Sequence, residues 1–357
     1  MYAIYADDEL LWFQGVDEEE YLLTGVTLSE EINKAGSLEF TMSKYNKFYS
    51  DLKSLKTTIV VKQDDEPIWC GRILQTEKDF YDSLKVYCEG QLSFLQDSIV
   101  RPYMGLVTPA QLFYDLLTQH NAQVPDNRKL YVGVVSVTDP TGQSNIGTSQ
   151  YPTTFNEFNE KLINRLGGYI VPRWDTNEGV FLFDYLDYSN LLPSNQIIDF
   201  DTNLIDLKRQ MNDEDIYTRL VPLGAKDQDG NYLTIKSVNN GLDYIQNDIG
   251  VSAFGVITKT HVWEDVTIAS NLLTKANAYI ADSAIASSTL EVKAVDMYHL
   301  SGTDPHFKVG EKIRVLSKPH DLDTYFLCTA IKHDLENPAN DDYTLGKSIY
   351  TITDGVN

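Results

Sequence analysis

Between Leu84 and Gly90 apolar and polar residues alternate one for one, in the order Leu-Lys-Val-Tyr-Cys-Glu-Gly. A period of two places every second side chain on one face, so the segment predicts a half-buried strand. The same texture marks Met1–Ala6, Thr58–Lys62 and Pro67–Leu74, with acidic turns at Asp64–Glu66 and Asp79–Asp82 between them. Together they predict an antiparallel meander with one buried face. The chain has 22 tyrosines, many of them in such runs, which also favours strands.

Two stretches break this rhythm with helical spacing. Thr108-Pro109 supplies an N-cap and a first-turn proline for Leu112, Phe113, Leu116 and Leu117, and the pattern ends near His120-Asn121. A second helix follows Thr153/Thr154, with Glu157 three residues after Thr154 as a capping box. Its stripe is Phe155, Phe158, Leu162, Ile163 and Leu166, and Gly167-Gly168 stops it. A hairpin is predicted next, Tyr169–Trp174 and Val180–Tyr185 across Asp175–Gly179. The polar stretch Ser136–Tyr151 reads as a loop.

Strand character returns at Ile197–Leu207, Ile216–Gly224, Tyr232–Ile235 and Gly255–Trp263. A third helix is predicted over Ile268–Ala284. The last strands are Thr289–Tyr298, Lys312–Ser317, Tyr325–Leu335 and Tyr343–Thr353. At 357 residues the chain exceeds a single core, and the order of elements is too irregular for a doubly wound parallel sheet. The fold class is therefore α+β and strand-rich.

Composition removes whole function classes. Hydrophobic residues make up 42% and charged residues 23%, ordinary for a globular chain. No apolar run reaches the ~18 residues of a membrane helix, and the N-terminus lacks a signal-peptide pattern. The formal charge of −23 and the absence of a basic patch argue against dedicated nucleic-acid binding. The three cysteines, Cys70, Cys88 and Cys328, read as reduced thiols in strands, with Cys70 and Cys88 open to facing each other across a hairpin.

No catalytic constellation emerges. The six histidines, His120, His261, His299, His306, His320 and His333, form no metallopeptidase helix, and neither a nucleophile elbow nor a phosphate loop occurs. Asp227–Asn231 begins like a calcium loop, but its glycine is misplaced and the twelfth-position glutamate is missing, so a turn is predicted. The carboxylate runs Glu18–Glu20 and Asp213–Asp215 read as solvated loops. Trp12, Trp69, Trp174 and Trp263 read as core or interface residues ahead of a sugar-binding groove; all but Trp12 fall in predicted strands. Expected catalytic, cofactor and metal residues are thus none.

Fragments in order along almost the whole chain resemble phage minor structural proteins, the tail-associated or prophage endopeptidase tail family. They are Asn33–Thr41; Gly71–Leu74 with Val86–Ser98 and Arg101–Tyr103; His120–Val124; and Thr218–Ala225 with Tyr232–Ile235, Ser237–Asn239, Gly241 and Asp243–Ile245. Phe254-Gly255, Trp263–Thr267, Val309-Gly310, Arg314–Ser317, Pro319-His320 and Leu345-Gly346 complete the series.

The resemblance implies a fold like phage baseplate hubs: two barrel-like β domains with inserted smaller α+β domains. Residues 1–98 would form the first barrel and 99–195 an α+β insertion. Residues 196–225 and 300–357 would form the second barrel, and 226–299 an α+β insertion with one helix. The implied protein is not an enzyme but a homotrimeric hub at the virion tail tip, assembled in the host cytoplasm. Its partners would be a distal tail protein, a tape measure protein and a fibre or spike. DNA would pass through the lumen without specific binding, and no stable membrane insertion is expected; the net charge of −23, and not the resemblance, is what suggests an acidic lining. A peptidoglycan hydrolase and a carbohydrate-binding adhesin are the competing readings. Longer relatives carry lytic or receptor-binding extensions, and the chain ends at Asn357 before any such module.

Overall fold

A computed structural model describes residues 1–142, 144–212, 217–283, 287–302 and 305–346. Its backbone is organised by one curled sheet of 13 strands. From one end the strands are Leu204–Asn212, Ser287–Ala294, Asp342–Gly346, Leu322–Asp334, Leu23–Glu31 and Ser37–Met42. Leu84–Gly90, Glu66–Lys78, Thr58–Gln63, Tyr2–Ala6 and Glu9–Phe13 follow. Lys312–Ser317 pairs with the first half of Leu322–Asp334, and Pro193–Asp199 lies parallel beyond it as the last strand on that side among the described residues.

The two strand-rich ends of the chain share this sheet. Leu322–Asp334 pairs with Lys312–Ser317 through residues 322–327, then with Leu23–Glu31 through residues 330–334. One core collects on the N-terminal half, with Tyr2, Trp12, Phe40 and Trp69 among its buried residues. A second collects around Phe307, Val315, Phe326 and Tyr343. Leu335, distant in sequence, is fully buried in the first core.

Two further cores sit on smaller sheets. The hairpin Tyr169–Asp175/Val180–Leu186 forms as predicted, joined in parallel by Tyr131–Val135. Pro109–Asn121 packs Leu112, Phe113, Leu116 and Leu117 into this core, and the Thr108 hydroxyl caps it by accepting from Gln111 N. The other small core surrounds Tyr217, Leu220, Trp263 and Leu272 beneath the helix Ala269–Ser283.

Several sequence expectations are corrected. The polar stretch 136–151 contains a strand, Ser144–Thr148, paired with Tyr103–Val107. The helix after Thr153 is capped by Thr153 itself, which accepts from Asn156 N. Glu157 does not close a capping box; it accepts from the Tyr103 hydroxyl at 2.8 Å instead. That helix loosens into a π turn over Asn159–Ile163 before Gly167, at φ +71°, ends it. The strand expected over 197–207 is two strands, because Asn203 folds the chain back by accepting from Asp199 N.

Tyr232–Ile235 forms no regular strand: Tyr232 bridges Lys226, and Leu233 bonds through its backbone to Gly224 and Ala225. Arg219–Leu223, assigned to the second barrel, pairs in the small sheet with Thr258–Val262. Conversely Ser287–Ala294, assigned to the insertion, lies in the large sheet, and that insertion holds a second helix, Asp248–Phe254. Trp12 lies in a strand after all, Glu9–Phe13, and is buried. Of the last predicted strand, Asp342–Gly346 is described; residues beyond 346 lie outside the described residues, as does Asp213–Asp215.

Candidate functional site

The most organised polar region is the seam where the two halves of the large sheet meet. His333 belongs to Leu322–Asp334, and strand alternation turns its ring inward opposite Leu28. Its Nδ1 lies 2.6 Å from Asp341 Oδ2 and its Nε2 3.4 Å from Glu30 Oε2. Burial alone would lower an imidazole's pKa and outranks any single opposing contribution, but the two carboxylates together overcome it and raise His333 to about 10. A protonated histidine, donating from both nitrogens, therefore holds the seam at neutral pH.

Tyr2 packs beside it, its ring centroid 6.3 Å from that of His333 and 6.0 Å from that of His299. The Tyr2 hydroxyl accepts from Gln63 Nε2 at 3.0 Å, and Gln63 Nε2 lies 3.1 Å from His306 Nδ1. The Glu336 carboxylate accepts from Val26 N at 2.9 Å. The N-terminal strand is thus tied by side chains to residues about 300 positions away.

A second junction joins the units built on the two three-stranded sheets. Asp139 and Lys275, both nearly inaccessible, lie 3.3 Å apart, and Arg165 forms an ion pair with Asp265. This junction is made by side chains, whereas the seam is made first by backbone pairing.

Each residue singled out in the sequence has a definite place. Trp12 and Trp69 lie in the first core and Trp263 in the small core against His261, with centroids 4.3 Å apart. Trp174 meets Phe181 edge-on and lines an open groove of about 480 Å³ with Tyr5, Tyr131 and Lys129. Glu18–Glu20 is exposed. The Asp227 carboxylate turns onto its own loop, accepting from Asp229 N and Asn231 N, with Gly230 at φ +86°. That is the predicted turn, and the carboxylate is spent on backbone amides.

All three thiols are free, and Ile73, not Cys70, stands opposite Cys88. Burial pushes Cys70 up to about 12 and raises Cys88 and Cys328 as well, which keeps them protonated and poorly nucleophilic.

Two serine–histidine contacts escaped the motif search because their members are far apart or in a short turn. Ser98 Oγ lies 2.7 Å from His120 Nδ1, and His120 Nε2 faces the Arg128 carbonyl at 3.0 Å. Both side chains are buried, and Ser98 also bonds Thr154. The pair joins a loop to a helix, with no carboxylate orienting the ring. Ser317 and His320 pair at 2.6 Å around a single turn. Sequence reading also missed that Asp296, His299 and His306 converge beside the seam.

Comparison with known proteins gives the arrangement a context. Residues 192–356 match the model of the prophage endopeptidase tail family. The prophage tail protein gp18 from Listeria monocytogenes is 14% identical, with 99% of this chain and 96% of that one aligned at a TM-score of 0.63. The 43 kDa tail protein of prophage MuSo2 from Shewanella oneidensis is 13% identical, with 98% of each chain aligned at a TM-score of 0.65. A type VI secretion component from E. coli, described as structurally similar to the T4 bacteriophage tail proteins gp27 and gp5, is 10% identical. It aligns over 98% of this chain and 77% of its own at a TM-score of 0.53. At these identities the likeness is one of fold. No curated protein sequence matches the chain.

Proposed function

We propose that this chain, a phage tail protein carrying the prophage endopeptidase tail family match over residues 192–356, is a trimeric structural hub of the tail tip. The observation that carries the reading is the single sheet running through both strand-rich halves, in a fold that prophage tail proteins share along almost its whole length. Such a chain is a rigid building block with two barrel-like lobes, and three copies would close a ring.

The border of the sheet favours this reading. Among the described residues Pro193–Asp199 pairs as a strand only with Lys312–Ser317, and the Asn203 side chain covers part of its outer side by accepting from Asp199 N and donating to the Ile197 carbonyl. Ile197 stands opposite Arg314, and Arg314 opposite Tyr325, so all three share one face. Ile197 and Tyr325 are exposed there, with Leu192 and Phe200 exposed at the two ends of the strand. A border strand flanked by exposed apolar side chains suits an obligate contact between copies.

The acidic composition, 52 acidic against 29 basic residues, suits a conduit through which DNA slides without sticking. The distal tail protein, tape measure protein and fibre or spike belong to the same proposal. The chain acts mechanically in it, not as a catalyst.

Light scattering coupled to size exclusion tests the ring. Three times the 40.4 kDa chain mass is expected, and Ile197→Asp with Phe200→Glu should reduce it to the monomer. A wild-type monomer at every concentration and on assembled tails would overturn the hub. Lysis of cell-wall substrate in zymography would favour a hydrolase, and retention on whole host cells an adhesin.

A further inference from the structure

Between Ser287–Ala294 and Lys312–Ser317, His299 packs beside Tyr2 and His306 meets Gln63 of the first half. There, one ligand-capable atom from each of Asp296, His299 and His306 lies within 4.8 Å of the other two. The sequence separates them as Asp-x2-His-x6-His, with His299 on the short helix Tyr298–Ser301.

The carboxylate is built in. Asp296 is 4% exposed. Its Oδ1 accepts from Gln196 Nε2 at 2.7 Å and from Tyr298 N at 3.0 Å. Its Oδ2 accepts from Phe307 N at 3.3 Å and faces His306 Nδ1 at 3.0 Å. Amide donors fix the carboxylate, as they do around ligating carboxylates, and an ion would take the place of its contact with the His306 ring. The two imidazole rings converge on that carboxylate, with centroids 5.5 Å apart.

We propose that Asp296, His299 and His306 form a binding site for a divalent transition-metal ion of the zinc class. Two imidazoles and one carboxylate are the donors that such ions select, and three protein ligands leave one position for water. Ligand bonds near 2.0–2.2 Å require donor atoms about 3.5 Å apart, so a trio whose atoms all lie within 4.8 Å of one another needs only local adjustment to bind an ion. His299 is the exposed member of the three. The segment also touches Tyr2 and Gln63 of the first half, so a bound ion stiffens the seam as well as the segment that carries it.

The test uses the untagged full chain after chelator treatment. Zinc chloride followed by calorimetry should give one ion per chain, and cobalt(II) should develop visible bands of a four- or five-coordinate centre. The melting temperature should rise with added zinc. His299→Ala and His306→Ala should each weaken binding by at least about tenfold. His261→Ala and His320→Ala should leave it unchanged. Because His299 is exposed, its variant keeps the fold and is decisive. No zinc binding below millimolar concentration, or binding that survives both His299→Ala and His306→Ala, overturns the proposal. Neither readout depends on oligomeric state, so this failure is distinct from failure of the hub reading.

Discussion

The seam between the halves of the large sheet and the junction between the units built on the two three-stranded sheets solve one problem differently. At the seam, Leu322–Asp334 enters both halves of the ladder, and backbone bonds do the joining before any side chain contributes. At the junction, Lys275, Asp139, Arg165 and Asp265 join packed units through charge. A ladder shared by two cores couples their unfolding, because neither half can lose the strand alone. A junction of side chains allows one unit to open while the other stays folded. The first arrangement makes a single stiff body; the second allows attached units to vary.

The largest effect should come from breaking the junction. Lys275→Met together with Arg165→Met strips the buried Asp139 carboxylate of both cations placed beside it and should cost about 3–5 kcal/mol in the small units. Hydrogen exchange should then accelerate in the helix Ala269–Ser283 and leave the large sheet protected. Global loss of protection would show that the junction is not separable.

Leu335→Ala comes next. It opens a cavity in the first core at a position contributed by the C-terminal half, and should cost about 2–4 kcal/mol. Tryptophan fluorescence and circular dichroism should still report one transition for both halves of the sheet. Two separated transitions would contradict the coupling.

His333 gives a graded effect. Its folded pKa lies above the ordinary value of 6.5, so its stabilising contribution is complete below about 6.5 and is lost as pH rises towards about 10. Urea midpoints should therefore fall across that window, and His333→Leu should flatten the slope. A wild-type slope unchanged in the variant would assign the pH dependence elsewhere. The smallest effect belongs to Lys85→Ala, which removes an exposed pair with Glu39 and should leave the urea midpoint unmoved.

Local signals were readable in the residues, and distant pairings were not. Thr108-Pro109 set a helix start, Gly167 ended another, and Asp227–Asn231 made its turn, because each depends on residues within a few positions. The strands Glu9–Phe13, Leu23–Glu31 and Ser37–Met42 escaped prediction. Leu23–Glu31 mixes polar and apolar residues without clean alternation, since a bulge between Thr24 and Thr27 shifts the register. The pairing of Leu23–Glu31 with Leu322–Asp334 spans some 300 residues, and no local pattern encodes it. The same holds for Asp296, His299 and His306, which a motif search passes over because six residues, not three, separate the two histidines.

The shared strand has one more consequence, for how the molecule carries load. Leu322–Asp334 is held along one border first by Lys312–Ser317 and then by Leu23–Glu31, with Asp342–Gly346 along the other. Its cross-strand bonds lie perpendicular to its length. A pull along the strand that drives the halves apart loads those bonds together, in shear, whereas a pull across it would strip them one at a time. The molecule is therefore strong in one direction and weak in another, and the direction of that strand marks the axis along which it can pass force from one lobe to the next.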